Sequence, residues 1–200
     1  MNRVSRLERL ETGRQLFHAS GAIVPLIACV IGVTATLLLL SFLFAVILSL
    51  SVTYRRGVHI PFFHLFIDRF ERADVREKFP GKGAVYYVIG MILPLLFFEE
   101  SIAFTCILIT CLGDAGSTLV GKNFGTHRIP YNTRKTIEGS FACLVLSISA
   151  AATQVPPELA MVAGTTGTLV ESLPLRVDDN LTIPLIVGTT LSALTGLGLV

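Results

Sequence analysis

The chain has 200 residues, 52% of them apolar and 15% charged, with a net charge of +2 at neutral pH and a mean hydropathy of +0.71. This composition excludes a disordered or strongly solvated chain and describes one integral-membrane domain over 1–200. So small a net charge gives no footing for nucleic acid, and Cys29, Cys106, Cys111 and Cys143 stand singly in apolar runs, as buried hydrophobes rather than metal ligands or disulfides.

Residues 1–15 carry Arg3, Arg6, Arg9 and Arg14 with Glu8 and Glu11, a pattern for an interfacial helix leading into the membrane. No small-residue cleavage signal follows before a second apolar phase, so a signal peptide is not expected. The run 16–52 is too long for one crossing of about 20 residues and predicts two spans folded at Gly32-Val33-Thr34. Residues 53–83 form a polar loop in which Phe62, Phe63, Leu65, Phe66 and Phe70 alternate with charges, predicting a surface helix within 59–78. Span three is 84–98, kinked or tilted at Pro94. Span four follows the Glu99-Glu100 turn and covers 101–121. After a central loop over 122–138 come span five at 139–153, a turn at 154–157 and span six at 158–173, whose middle is small and polar. A loop at 174–180 leads to span seven. The expected fold is therefore all-α, a polytopic bundle of about seven transmembrane helices.

Charge placement sets the expected orientation. Every Lys and Arg falls in 1–14, 53–83, 122–138 or 174–180, whereas the opposite turns carry Glu99, Glu100 and Glu158. By the positive-inside rule those four segments and the N-terminus are cytoplasmic. The expected location is a prokaryotic cell membrane with the site facing the cytoplasm.

The densest chemistry lies in GDAGSTLVGKNFGTHRIPYNTRKTIEGS, residues 113–140. Asp114 sits near the end of an apolar run, where an ionisable group is costly and points to function. On a helix Asp114, Ser117, Thr118 and Gly121 share one face. Lys122, Arg128, Arg134 and Lys135 follow within one loop, and Lys and Arg neutralise phosphate oxygens. A carboxylate with adjacent hydroxyls is a plausible hold for the Mg²⁺ that accompanies nucleotides. The pattern thus describes a polyphosphate site. The competing reading is that the glycines mark close helix packing and the cations an ordinary cytoplasmic loop.

Two further clusters fall on the same side. Glu11, Arg14 and His18 lie on one helical face where the first span begins. Glu171, Asp178, Asp179 and Asn180 gather at a helix end and loop, able to take a second Mg²⁺ or orient a hydroxyl, or else to cap span seven.

GDAGSTLVGKNFG followed by RKTIEGS resembles the central motif of the dolichol kinase, phytol kinase and CTP-dependent diacylglycerol kinase family, membrane enzymes that phosphorylate lipid alcohols. The match covers Gly113, Asp114, Gly121, Lys122, Gly125, Lys135, Glu138, Gly139 and Ser140. ETGRQLFH is similar to the family's N-terminal pattern, with Gln15 where Lys is usual. Gly81, Lys82, Gly83, Ala84, Tyr87 and Gly90 fit its third-span opening, and DNLTIP at 179–184 its last motif.

The resemblance implies CTP as phosphoryl donor, Mg²⁺, a lipid alcohol in the bilayer, and site residues in named roles. Asp114, Glu138, Glu171 and Asp179 are the catalytic candidates, with Asp114, Ser117 and Asp178 for metal. Phosphate falls to Gly113, Gly121, Lys122, Arg134, Lys135, Gly139, Ser140, Arg14 and Lys82, with His18 and Asn180 in support. A CTP:phosphatidate cytidylyltransferase would use the same nucleotide but has a different Asp-rich signature. A small transporter would place its charges at the midplane and not on one face. Neither the particular lipid nor the oligomeric state is encoded in these motifs.

Overall fold

The computed structural model describes residues 3–58, 60–70 and 79–198. Among them helices dominate, as the long apolar runs require, since only intrachain hydrogen bonding satisfies the backbone in lipid. In chain order they are α1 (Arg3–Ala19), a 3₁₀ turn (Ser20–Ile23), α2 (Val24–Ile31), α3 (Val33–Arg55), α4 (Pro61–Phe70), α5 (Lys82–Phe97), and α6 (Glu100–Leu108). A π-helical turn (Ile109–Gly113) joins α6 to α7 (Asp114–Phe124), and α8 (Ile137–Ala151), α9 (Pro157–Ser172) and α10 (Asp179–Gly196) complete the set.

Three helical stretches are long and apolar enough to cross a membrane: Glu11–Ile31, Val33–Arg55 and Glu100–Phe124. Shorter apolar helices, including Lys82–Phe97 and Ile137–Ala151, lie among them. The first break falls at Gly32, whose φ of +86° suits glycine, where the hairpin between spans one and two was expected. The helix Lys82–Phe97 carries Pro94 inside it.

Burial separates the centre from the periphery. In Glu100–Phe124, 78% of the apolar window is buried, against 11% in Val33–Arg55. Two buried clusters meet along this central helix. Ile102, Cys106 and Ile109 pack with Leu159, Ala163, Val187 and Leu191, while Ala103, Phe104, Ile107 and Cys111 pack with Val24, Leu40, Val88 and Met91. A helix apolar all round is a core helix. The outer α3 instead exposes Leu38 and Phe42 at 69% and 70%, an apolar exterior of the kind lipid covers.

One expectation changes. The segment 122–138 is not a plain loop: α7 runs on to Phe124, and β1 (Arg128–Ile129) pairs antiparallel with β2 (Asn132–Thr136), Ile129 opposite Asn132 and Arg128 opposite Thr136. The turn formers Pro130 and Asn132 and the β-branched Thr133 and Thr136 explain it, because Pro presets φ and branched side chains suit strands. The N-terminal stretch is continuous with the first span, since helix runs from Arg3 through the 3₁₀ turn to Ile31. Of the surface helix expected over 59–78, Pro61–Phe70 is present, with Phe63 and Ile67 buried, while 59 and 71–78 lie outside the described residues.

Candidate functional site

The central helix explains how a carboxylate reaches the site. Its π turn ends at Gly113, and Asp114 opens α7 immediately after it. Such turns recur at functional sites because they disturb the regular pairing of backbone carbonyls. Here His18 Nε2 lies 3.1 Å from the Thr110 carbonyl and 3.6 Å from Asp114 Oδ2. A carbonyl can only accept, so Nε2 carries the proton and donates. Tyr87 steadies the histidine: its hydroxyl donates to the His18 carbonyl at 2.6 Å and its ring sits 4.7 Å from the imidazole.

Lys135 is the hub. It projects from β2, where Asn132 and Thr136 are buried and Arg134 is exposed. Its ammonium donates to Glu171 Oε1 in a short hydrogen bond, and lies 3.5 Å from Asp179 Oδ2 and 3.7 Å from Asp114 Oδ1. Burial works to lower its basicity, but Asp114, Glu171 and Asp179 outweigh it and hold the lysine above its ordinary range. Magnitudes agree: near 4 Å and an effective dielectric of 20, each unit pair contributes about 4 kcal/mol, against a desolvation cost of several kcal/mol for the ammonium.

Glu171, at 0% exposure, also accepts from Ser117 Oγ at 2.6 Å, and its Oε2 has no hydrogen-bond partner among the described residues. Asp179 is pushed up to about 6, chiefly by burial; Lys135 pulls it down, and Asp114, Glu171 and Asp178 push it up.

Asp114, Lys135 and Asp179 border a cavity of about 1160 Å³, and Glu171 lies outside its lining. Arg14, Lys82, Lys122, Arg128, Arg134 and Lys135 line it together with Asp114, Asp178 and Asp179; His18, Ser117, Gly121 and Asn180 contribute to its wall. Glu11 organises one side, accepting from Arg14 at 2.5 Å and pairing with Lys122 at 3.1 Å. Lys82 lies 5.2 Å over the Tyr86 ring. Asp178 caps α10, accepting from Asn180 N at 3.1 Å and from its Nδ2 at 2.8 Å, so this carboxylate is already engaged.

Five expected residues, the buried Glu171 among them, are not in the wall. Gly113 faces Ser147 and Cys143 of α8. A Cβ on Gly139 would lie 2.7 Å from the Ser117 carbonyl and 3.2 Å from Gly121 Cα, so the Gly121–Gly139 pair lets α7 and α8 cross closely. Ser140 Oγ is buried without a hydrogen-bond partner among the described residues. Glu138 turns the other way, accepting from Thr126 Oγ1 at 2.6 Å and lying 2.7 Å from His127 Nδ1. The Thr126 hydroxyl first, and then His127, hold this carboxylate well below its usual range.

Sequence reasoning missed Tyr131, Asn132 and Thr136. Asn132 Nδ2 donates to the Ser172 carbonyl at 2.9 Å, and the Thr136 hydroxyl caps α8 by accepting from Gly139 N at 3.1 Å. A Thr directly before an apolar run, and Pro-Tyr-Asn as turn chemistry, were the available signals.

The chain is 32% identical over 124 residues to a probable phytol kinase 1, chloroplastic, of Glycine max, covering 52% of the chain and 41% of that protein. It is 32% identical over 122 residues to a farnesol kinase, chloroplastic, of Arabidopsis thaliana, covering 52% and 40%. With a CTP-dependent diacylglycerol kinase 1 of Schizosaccharomyces pombe it shares 27% over 128 residues, covering 55% and 59%. The chain is thus similar to proteins named as phytol, farnesol and CTP-dependent diacylglycerol kinases. It spans about half the length of the curated relatives it matches. No family model and no solved structure matches.

Proposed function

We propose that the protein is a CTP-dependent lipid-alcohol kinase, transferring the γ-phosphoryl group to the hydroxyl of an isoprenoid, polyprenol, dolichol or diacylglycerol type of lipid. The observation that carries this reading is a cavity lined by six Lys and Arg side chains, among them Lys135, whose ammonium is shared by Asp114, Glu171 and Asp179. Kinship with proteins named as phytol, farnesol and diacylglycerol kinases supports it. The proposed setting is a bundle of seven spans with a cytoplasmic N-terminus, supported by the grouping of every Lys and Arg in four segments.

Phosphoryl transfer rests on positioning and charge neutralisation more than on covalent chemistry. In this reading Lys122, Arg134 and Lys135, with Arg14 and Lys82, bind the triphosphate. The lipid oxygen bonds to the γ-phosphorus, the bond from that phosphorus to the bridging oxygen breaks, and CDP leaves. The hydroxyl proton passes to Asp179, whose acidity near 6 suits a group that receives a proton at neutral pH and releases it again. Glu171 lies beneath the wall and holds Lys135 and Ser117 in place.

The donors suit Mg²⁺: three carboxylates face one ammonium, leaving an excess of negative charge and hard oxygen ligands. No ready group of three ligands exists among the described residues. Mg²⁺ is usually held by one or two carboxylates together with substrate phosphates. Asp114, with Ser117 beside it, would hold the ion, which when bound neutralises charge on the terminal phosphates.

Incubating the purified protein in lipid with labelled CTP tests the proposal. Label from the γ position should enter an alcohol from a panel of isoprenoid and diacylglycerol lipids. Incorporation from the α position alone would identify cytidylyl transfer instead, and incorporation from neither would remove both readings.

A further inference from the structure

The nucleotide's base has no obvious reader among the charged groups, yet the cavity wall contains one aromatic ring that is held in place and left open. Tyr131 stands at the turn of the β1–β2 hairpin, lines the cavity, and is 58% exposed. Its position is determined at both ends. The Tyr131 hydroxyl lies 3.0 Å from Ser172 Oγ, and the neighbouring Asn132 side chain donates to the Ser172 carbonyl at 2.9 Å, fastening the turn to the end of α9.

The other rings in the wall are engaged. Tyr87 packs on His18 at 4.7 Å and lies 6.3 Å from Phe17. Tyr131 has no ring partner among the described residues, and Arg128 and Arg134 of the same hairpin line the same cavity.

A solvent-facing aromatic ring that folding nevertheless fixes is a stacking surface in search of a planar partner. Base–aromatic stacking needs no hydrogen-bond pattern, because every nucleobase has a π-face. Beside it, Arg128 and Arg134 supply the charge that follows a phosphate chain. We propose that Tyr131 is the platform on which the nucleobase of the triphosphate donor stacks, the hairpin cations taking the phosphates. The inference rests on the kinase reading above, and it assigns the base to the β1–β2 hairpin rather than to the central helix.

The test separates base from phosphate and uses the absence of Trp from the chain. CTP and inorganic tripolyphosphate are each titrated against the wild type, Tyr131→Phe, Tyr131→Leu and Tyr131→Trp in detergent or nanodiscs. Tyr131→Phe keeps the ring and loses only the Ser172 contact, so it should lose far less CTP affinity than Tyr131→Leu. Tyr131→Leu should lose roughly tenfold or more in CTP affinity while its affinity for tripolyphosphate stays unchanged. In Tyr131→Trp the sole indole should be quenched by CTP and not by tripolyphosphate.

Equal losses in Tyr131→Phe and Tyr131→Leu would assign the effect to the Ser172 contact and overturn the platform. A Tyr131→Leu variant altered only in its Michaelis constant for the lipid would do so as well, by making the ring part of the acceptor path. A wild type that binds CTP no more tightly than tripolyphosphate overturns the stacking inference and leaves the phosphate cavity standing. One that binds neither overturns the kinase reading itself.

Discussion

Glu171 and Glu138 are both carboxylates at helix ends bordering the same charged segment, and the structure uses them in opposite ways. Glu171 closes α9 at 0% exposure and receives Lys135 and Ser117. Glu138 opens α8, a quarter exposed, and fastens Thr126 and His127 of the preceding turn. The buried acid is only tolerable because a lysine compensates it, so acid and lysine specify one another. The exposed acid costs little and organises only its own turn. Residue type at a helix end therefore does not reveal a role; desolvation and the partner do.

The largest expected effect comes from breaking the buried side of this comparison. Lys135→Met leaves the buried Glu171 carboxylate without its cation, at a cost on the order of 3 to 5 kcal/mol, and removes a proposed phosphate ligand. Thermal unfolding and CTP turnover should both fall. Adding Glu171→Gln should restore most of the stability and none of the turnover, a non-additivity typical of contacting groups. If Lys135→Met melts like the wild type, the ion pair does not support the fold.

Asp114 sharpens the comparison from a third position, being one-fifth exposed and 3.7 Å from the same ammonium. Asp114→Asn keeps the shape and removes the charge proposed to hold Mg²⁺. Turnover should be abolished while the melting temperature stays close to wild type or rises slightly, since a charge near the apolar core is lost. A folded Asp114→Asn protein that turns over normally contradicts the metal assignment.

A smaller effect should appear in the pH dependence. Asp179 ionises near 6 in the folded protein, above its ordinary 3.8, because burial favours the neutral acid. The folded state thus binds this proton more tightly than the unfolded chain. The stabilisation is fully present below 3.8 and is lost as pH rises through 6. Activity should run the opposite way if Asp179 accepts the proton as proposed, rising through pH 6 as the carboxylate becomes able to accept it, while the elevated Lys135 stays charged throughout. The turnover profile should therefore show an acid limb near 6, which Asp179→Asn removes together with most of the rate. A limb that persists unchanged in Asp179→Asn belongs to another group.

The smallest effect is expected on the exposed side. Glu138→Gln removes the charge held by Thr126 and His127. Limited proteolysis should find the 125–131 turn cut more readily while CTP turnover remains near wild type. A severe loss of turnover, with the turn still protected, would make Glu138 a participant in the chemistry and erase its contrast with Glu171.

The helical runs, the break at Gly32 and the grouping of Asp114 with Ser117, Thr118 and Gly121 on one face were legible in the sequence. Each follows from local rules: apolar length, glycine at positive φ, and spacing of three and four along a helix. The clustering of Lys and Arg was legible as well, because charge is a property of residues before it is a property of folds. The hairpin over 128–136 was less visible, its short polar strands having no apolar alternation to reveal them. Contacts across the chain were beyond reach altogether. Nothing in the order of residues says that Lys135 meets an acid 36 positions later, or that Glu138, three positions away, turns from the cavity. Nor does glycine spacing distinguish a phosphate cradle from the close crossing of α7 and α8 at Gly121 and Gly139. Those outcomes depend on which side chains lose water together when helices pack, and desolvation is decided by the assembled tertiary structure.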